Sequence, residues 1–126
     1  MNNNHNTPKF INLSNHPSSG WEKGQLTAAQ RIGDIVDLPF PPVTPGASAD
    51  EVKQMARELV EHIMEMGDPA TLTVHIMGEM TLAFIIVKML KELGIRCVAS
   101  TTERKTTYNA DGTKLSEFSF VKFREY

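Results

Sequence analysis

Short β-branched runs alternate with helical periodicity along this chain, and that alternation restricts its possible folds more than any other feature. Phe10 to Leu13 is a short apolar run. Helical character follows in WEKGQLTAAQR, weakened by Gly24, with Ser18 or Ser19 available as an N-cap. Gly33 to Pro39 (GDIVDLP) reads as a second strand. The PFPPVTPGA stretch after it predicts a long loop, because Pro39, Pro41, Pro42 and Pro45 remove backbone donors and fix φ. The clearest helix starts at Ser48, with Glu51 three residues on as the partner in a capping box. Val52, Met55, Ala56, Leu59, Val60, Ile63 and Met64 then mark one apolar helical face, and Gly67 and Pro69 stop it. Thr71 to Ile76 is a third strand, Met77 to Met80 turns the chain, and Thr81 to Leu93 is a second strong helix ending at Gly94 in a left-handed C-cap. Ile95 to Ser100 is a fourth strand. The remainder predicts a hairpin turning at Asn109 to Gly112, where Asp-Gly supplies the turn chemistry. On its return strand Phe118 and Phe120 share one side while Val121 and Phe123 fall on alternate ones, which predicts a bulge or burial on both sides.

The order β-α-β-α-β-α-β followed by a hairpin predicts a Rossmann-like three-layer α/β domain. Its sheet is mainly parallel in the order 2-1-3-4, with the hairpin beyond and helices on both faces. With 126 residues and 40% hydrophobic content, one domain with one core is expected, spanning residues 9–126 behind a disordered polar tail at residues 1–8. In such a sheet the ligand crevice lies outside the strand carboxyl ends, at the switch point between strands one and three. Ser14, Asn15 and His16 follow strand one, Gly78, Glu79 and Met80 follow strand three, and Ser100, Thr101, Thr102, Glu103 and Arg104 end strand four nearby.

Each group also has a simpler explanation. Ser14 to Pro17 can be only a βα turn, in which serine and asparagine satisfy loose backbone groups. Gly78-Glu79 can be only a turn whose carboxylate stabilises the positive end of the next helix, and there it disfavours a phosphate. The exit from strand four can be merely solvated. His75 reads as a hydrogen-bonded core histidine and His62 as exposed.

Composition and missing motifs narrow the chemistry. A net charge of −2 gives no basic surface for long DNA or RNA, so a nucleotide ligand must be small and locally held. The single cysteine, Cys97, excludes an internal disulfide framework and reads as a reduced buried thiol, which fits a cytoplasmic protein. The polar N-terminus has no apolar core of a signal peptide or anchor. The longest apolar run, Leu82 to Val87, is far short of the roughly 18–20 residues of a membrane span. No His/Asp/Glu cluster has metal-ligand spacing. There is no phosphate-loop motif, no G-x-G-x-x-G and no G-x-S-x-G, so neither a metal nor a cofactor is expected. The helix TLAFIIVKMLKEL is apolar on too many sides to cover one sheet face, which predicts a homodimer. What remains is a crevice rich in hydroxyls and amides, suited to phosphates, riboses and bases.

At these residues, Ile11-Asn12-Leu13-Ser14-Asn15-His16-Pro17 after the first strand resembles the start of small standalone CRISPR-associated Rossmann-fold (CARF-like) proteins, over roughly residues 9–104. That resemblance implies a homodimer binding a cyclic oligoadenylate second messenger on its two-fold axis, either as a metal-independent ring nuclease or as a non-catalytic sink or sensor in antiviral defence. Carried over by position, it implies that Ser14, Asn15 and His16 line the messenger ring and that Gly78, Glu79, Met80 and Thr81 form the ligand loop; Thr101 and Thr102 join the binding set by their place at the end of strand four. For cleavage by a ribose 2′-hydroxyl, His16 would assist as base, and Arg104 or Ser14 would stabilise charge on the phosphate. A small enzyme or binding protein for a phosphorylated metabolite is the alternative.

Overall fold

The architecture was taken from a computed structural model, which describes residues 6–126. Five strands form one sheet: β1 (Lys9–Ser14), β2 (Asp34–Pro39), β3 (Leu72–Ile76), β4 (Arg96–Tyr108) and β5 (Lys114–Glu125). Their order is β2-β1-β3-β4-β5; the first four run parallel and β5 returns antiparallel to β4. Three helices complete the chain: α1 (Lys23–Ile32), α2 (Ala49–Met64) and α3 (Met80–Glu92). The expected strand order and C-terminal hairpin are therefore present. The fourth strand is longer than expected, because it runs without interruption into the hairpin as one strand of 13 residues.

Period-two alternation sorts the strand residues onto two faces. Ile11, Leu13, Val74, Ile76 and Cys97 join Val52, Ala56, Val60, Ile63, Leu82, Ile86 and Leu90 of α2 and α3 in the larger core. Phe10 and Val98 meet Ala29 of α1 and the half-buried Trp21, Ile32, Ile35 and Phe123 on the other face. The smaller core leaves room toward the strand carboxyl ends, where the face turns polar: Asn12, Ser14 and His75 are buried on that side.

Local rules account for the helix limits. Ser48 caps α2, its hydroxyl accepting the Glu51 N–H at 3.1 Å. α3 ends in a Schellman motif: Gly94 has φ of 79°, its N–H donates to Lys91 O, and the Ile95 N–H donates to Leu90 O. Cys97 is 3% exposed, and burial pushes its thiol up to about 11, against the opposing pull of Lys91. The thiol is buried, as the sequence predicts.

The phase slip in the last strand is a β-bulge. Thr101 pairs with Lys122 and Thr102 with Phe120, leaving Val121 as the extra residue. The bulge brings Phe120 and Phe123 onto one face, with ring centroids 4.8 Å apart. No helix among the described residues is long and apolar enough to cross a membrane. Of the expected disordered tail, residues 1–5 lie outside the described residues, while the Pro8 carbonyl accepts the Asp34 N–H at 3.0 Å.

Candidate functional site

A cavity of about 640 Å³ opens at the carboxyl ends of β1 and β3 and beside Ser100 and Thr102 in the middle of β4, on the α1 side of the sheet. Its floor is set by strand register. Asn12 pairs with Asp37 on one neighbour and with His75 on the other, so three adjacent strands lay Asp37, Asn12 and His75 in a row. Asn12 is the hub. Its Nδ2 donates to Asp37 Oδ1 and to the His16 carbonyl, both at 2.9 Å. Both partners accept only, which fixes the amide's orientation and leaves Oδ1 facing the Ser14 hydroxyl at 2.8 Å and His75 Nδ1 at 2.9 Å. His75 therefore carries its proton on Nδ1, and the lone pair is on Nε2.

Burial pushes His75 down to about 4, and the nearby His16 pushes in the same direction, so the ring is neutral at physiological pH. Around it stand Phe10, stacked at 5.9 Å between centroids, and Trp21 and Phe123, both edge-on at 5.5 and 5.4 Å. At the far end of the row burial raises the Asp37 carboxyl. Hydrogen bonds from Asn12 and from the side chain and N–H of Ser18 outweigh that and hold it below its ordinary value.

The cavity's sides come from the loop after β1 and from the hairpin. The His16 carbonyl accepts from Trp21 Nε1 at 3.0 Å as well as from Asn12, and Ser18 to Gly20 form a 3-10 turn that delivers Trp21 and Glu22 to the start of α1. Glu22 reaches across to the hairpin, its carboxylate accepting the Phe120 N–H at 2.6 Å beside the bulge. Phe118 and Phe120 face the opening, together with Gln25, Ser100 and Thr102. On the remaining side Gly78 is required by packing: a Cβ there would stand about 2.5 Å from the ring of Phe40, the residue that anchors the proline-rich loop.

Of the residues predicted from sequence, Ser14, Asn15, His16, Gly78 and Thr102 line this cavity. Ser14 belongs to the floor, 5% exposed, its hydroxyl donating to Asn12 and accepting the His16 N–H at 3.2 Å. Asn15 and His16 stand exposed at the rim. The other predicted residues, Glu79, Met80, Thr81, Thr101 and Arg104, do not line the cavity. Glu79 is the N-cap of α3, accepting from Thr81 N, Thr81 Oγ1 and Leu82 N at 3.0, 2.7 and 2.8 Å, so its carboxylate is engaged in satisfying the helix end. Met80 is exposed and borders a separate shallow groove with Met77 and Gly78. Thr101 falls on the opposite sheet face by alternation and donates to Lys122 O. Arg104 extends along the hairpin to Ser116 Oγ at 3.2 Å, outside the lining.

Sequence reasoning missed Trp21, Glu22, Gln25, Phe118 and Phe120 as wall residues, and it took His75 only as a core histidine. A signal was available: Asn12, Asp37 and His75 are polar residues near the carboxyl ends of three otherwise apolar runs.

Fold and cavity together define a Rossmann-like α/β domain with its open site at the strand carboxyl ends. A sequence-family profile matches residues 8–124, and the chain belongs to the family described as the Uncharacterized protein MJ1673 family. No curated protein matches it. Among solved structures, a crystal structure of 2-deoxy-scyllo-inosose synthase is similar over 94% of this chain and 36% of that one, at 15% identity and a TM-score of 0.45. The chain thus spans about a third of that enzyme's length, and the likeness bears on neither ligand nor chemistry.

Proposed function

We propose that this chain works as a homodimer that binds a cyclic oligoadenylate, or a related small adenine nucleotide, in the cavity at the strand carboxyl ends. The observation that carries this reading is the make-up of the cavity. Flat aromatic walls (Trp21, Phe118, Phe120) stand over a floor and rim of hydroxyl, amide and imidazole groups (Ser14, Asn15, His16, Gln25, Ser100, Thr102). Aromatic walls suit bases, and the polar groups suit riboses. The described lining contains no lysine or arginine and does contain Glu22, so affinity here has to come from bases and riboses more than from phosphates. The resemblance of Ile11 to Pro17 to CARF-like proteins supports the same ligand class.

Dimerisation is supported by α3. Met80 is 83% and Phe84 69% exposed on one face, beside Met77, Val87 and Tyr126 around a shallow apolar groove. Met77 and Gly78 border both this groove and the cavity, so a second copy seated on α3 lies next to the cavity's edge.

The geometry supports binding ahead of cleavage. The Ser14 hydroxyl is held in the buried network and the Arg104 guanidinium lies on the hairpin, leaving His16 as the rim group able to take a proton from a ribose 2′-hydroxyl. Calorimetry with cyclic tri-, tetra- and hexa-adenylate, with chromatography of the products, tests the proposal. One ring per two chains supports it, with or without linear products. Failure of every ring to bind, or a phosphorylated metabolite bound once per chain, overturns it.

A further inference from the structure

Among the described residues, His75 Nε2 is the one buried side-chain nitrogen or oxygen with no hydrogen-bond partner. Native interiors rarely leave such a group unpaired, because it has given up water for nothing. The residue is 2% exposed and belongs to the wall of the cavity. Its other nitrogen is committed to Asn12, whose orientation is fixed in turn by Asp37 and the His16 carbonyl, so the ring cannot flip to hide the lone pair without breaking that chain of bonds. Phe10, Trp21 and Phe123 enclose the ring in apolar surface, where an acceptor interacts strongly with any donor that reaches it.

We infer that His75 Nε2 is the specificity-determining acceptor of the cavity, receiving an N–H from the exocyclic amine of a purine base held against Trp21. This rests on the nucleotide reading above and deepens it: the site selects an amino-bearing base over the same ring without the amine. A sugar hydroxyl fits less well, because Phe10, Trp21 and Phe123 surround the ring with apolar surface. The ring stays neutral through the physiological range, so the acceptor is always available. As a base it would be weak, which argues for recognition over proton abstraction. Trp21 stands edge-on to the imidazole and is only half-buried, anchored by its indole N–H to the His16 carbonyl; a shift of this side chain gives the base access.

The test uses cyclic tetra-adenylate and the same ring built from unsubstituted purine, with the 2′-deoxyadenylate ring as a third probe. Wild-type protein is expected to lose about tenfold or more in affinity when the amine is removed. The ¹⁵N resonance of His75 Nε2 should move upfield on binding the adenine ring and stay in place with the purine ring. His75→Phe, which keeps the aromatic packing and leaves Asn12 Oδ1 its bond from Ser14, should bind both rings alike. Equal affinity of wild-type protein for the adenine and purine rings, with an unmoved Nε2 resonance, overturns the inference while leaving the nucleotide reading intact. Loss of affinity for the deoxy ring alone also overturns it, by assigning the acceptor to a ribose. Binding of none of the probes removes both, and the wild-type measurements hold even if the variant fails to fold.

Discussion

The Asp37-Asn12-His75 row makes single residues accountable for measurable stability. His75 has an ordinary value of 6.5 and is lowered by burial to about 4 in the folded chain. Because the unfolded chain takes up its proton first on acidification, the stability contributed by the neutral ring is complete above pH 6.5 and is lost as pH falls from 6.5 toward 4. The loss should approach about 3 kcal/mol. Urea melts of wild-type protein and His75→Phe across that window should show a slope in the first and a flatter line in the second; parallel curves would contradict the assignment. Asp37, also depressed, contributes stability that is complete above the ordinary carboxylate range and is lost as pH falls through and below it, beneath most of this window. Asn12→Ala removes the hub and leaves Asp37, Ser14 and His75 Nδ1 each short of a partner. A destabilisation of about 2–4 kcal/mol is expected in denaturant titration. A variant as stable as wild type would mean that water replaces the amide without cost. None of this was legible one strand at a time. Asn12 in KFINLS reads as an isolated polar residue until register places it between Asp37 and His75.

At the scale of elements the sequence was more informative, because helices and strands obey local periodicities. The Ser48 cap, the Gly94 stop, the Asp-Gly turn and the bulge implied by the slip between Phe120 and Phe123 are all recoverable from neighbours a few residues apart. Glu79 shows the limit. Its position after β3 is read from sequence as either a ligand contact or a helix cap, and the structure shows the cap, with three hydrogen bonds to Thr81 and Leu82. Glu79→Ala should lower the melting temperature by a few degrees and leave affinity for cyclic adenylates unchanged. A large loss of affinity without loss of stability would return Glu79 to the site. The cavity walls were hidden for a different reason: Trp21, Glu22 and Phe120 meet only because a βα loop and a hairpin almost a hundred residues apart close over the same strand ends.

For the whole molecule, the chain order β-α-β-α-β-α-β and right-handed crossovers suffice to place β1 and β3 side by side and to put the open site at their carboxyl ends. The over-apolar helix divides its residues between two roles. Ile86 is fully buried against the sheet, while Phe84 remains 69% exposed. Light scattering at micromolar concentration should report a dimer for wild-type protein and a monomer for Phe84→Glu, which places a charge in the apolar face without touching the core. A wild-type monomer would remove the support that α3 gives to a symmetric site.

The central claim is that the cavity bounded by the β1 exit loop, α1 and the hairpin is where the ligand sits. Backbone amide mapping by NMR during titration with cyclic tetra-adenylate tests it most directly. Shifts are expected to concentrate at Asn15, His16, Trp21, Gln25, Gly78, Thr102 and Phe120, with saturation at one ring per two chains. Shifts confined to residues outside the cavity, or none at millimolar ligand, would contradict it.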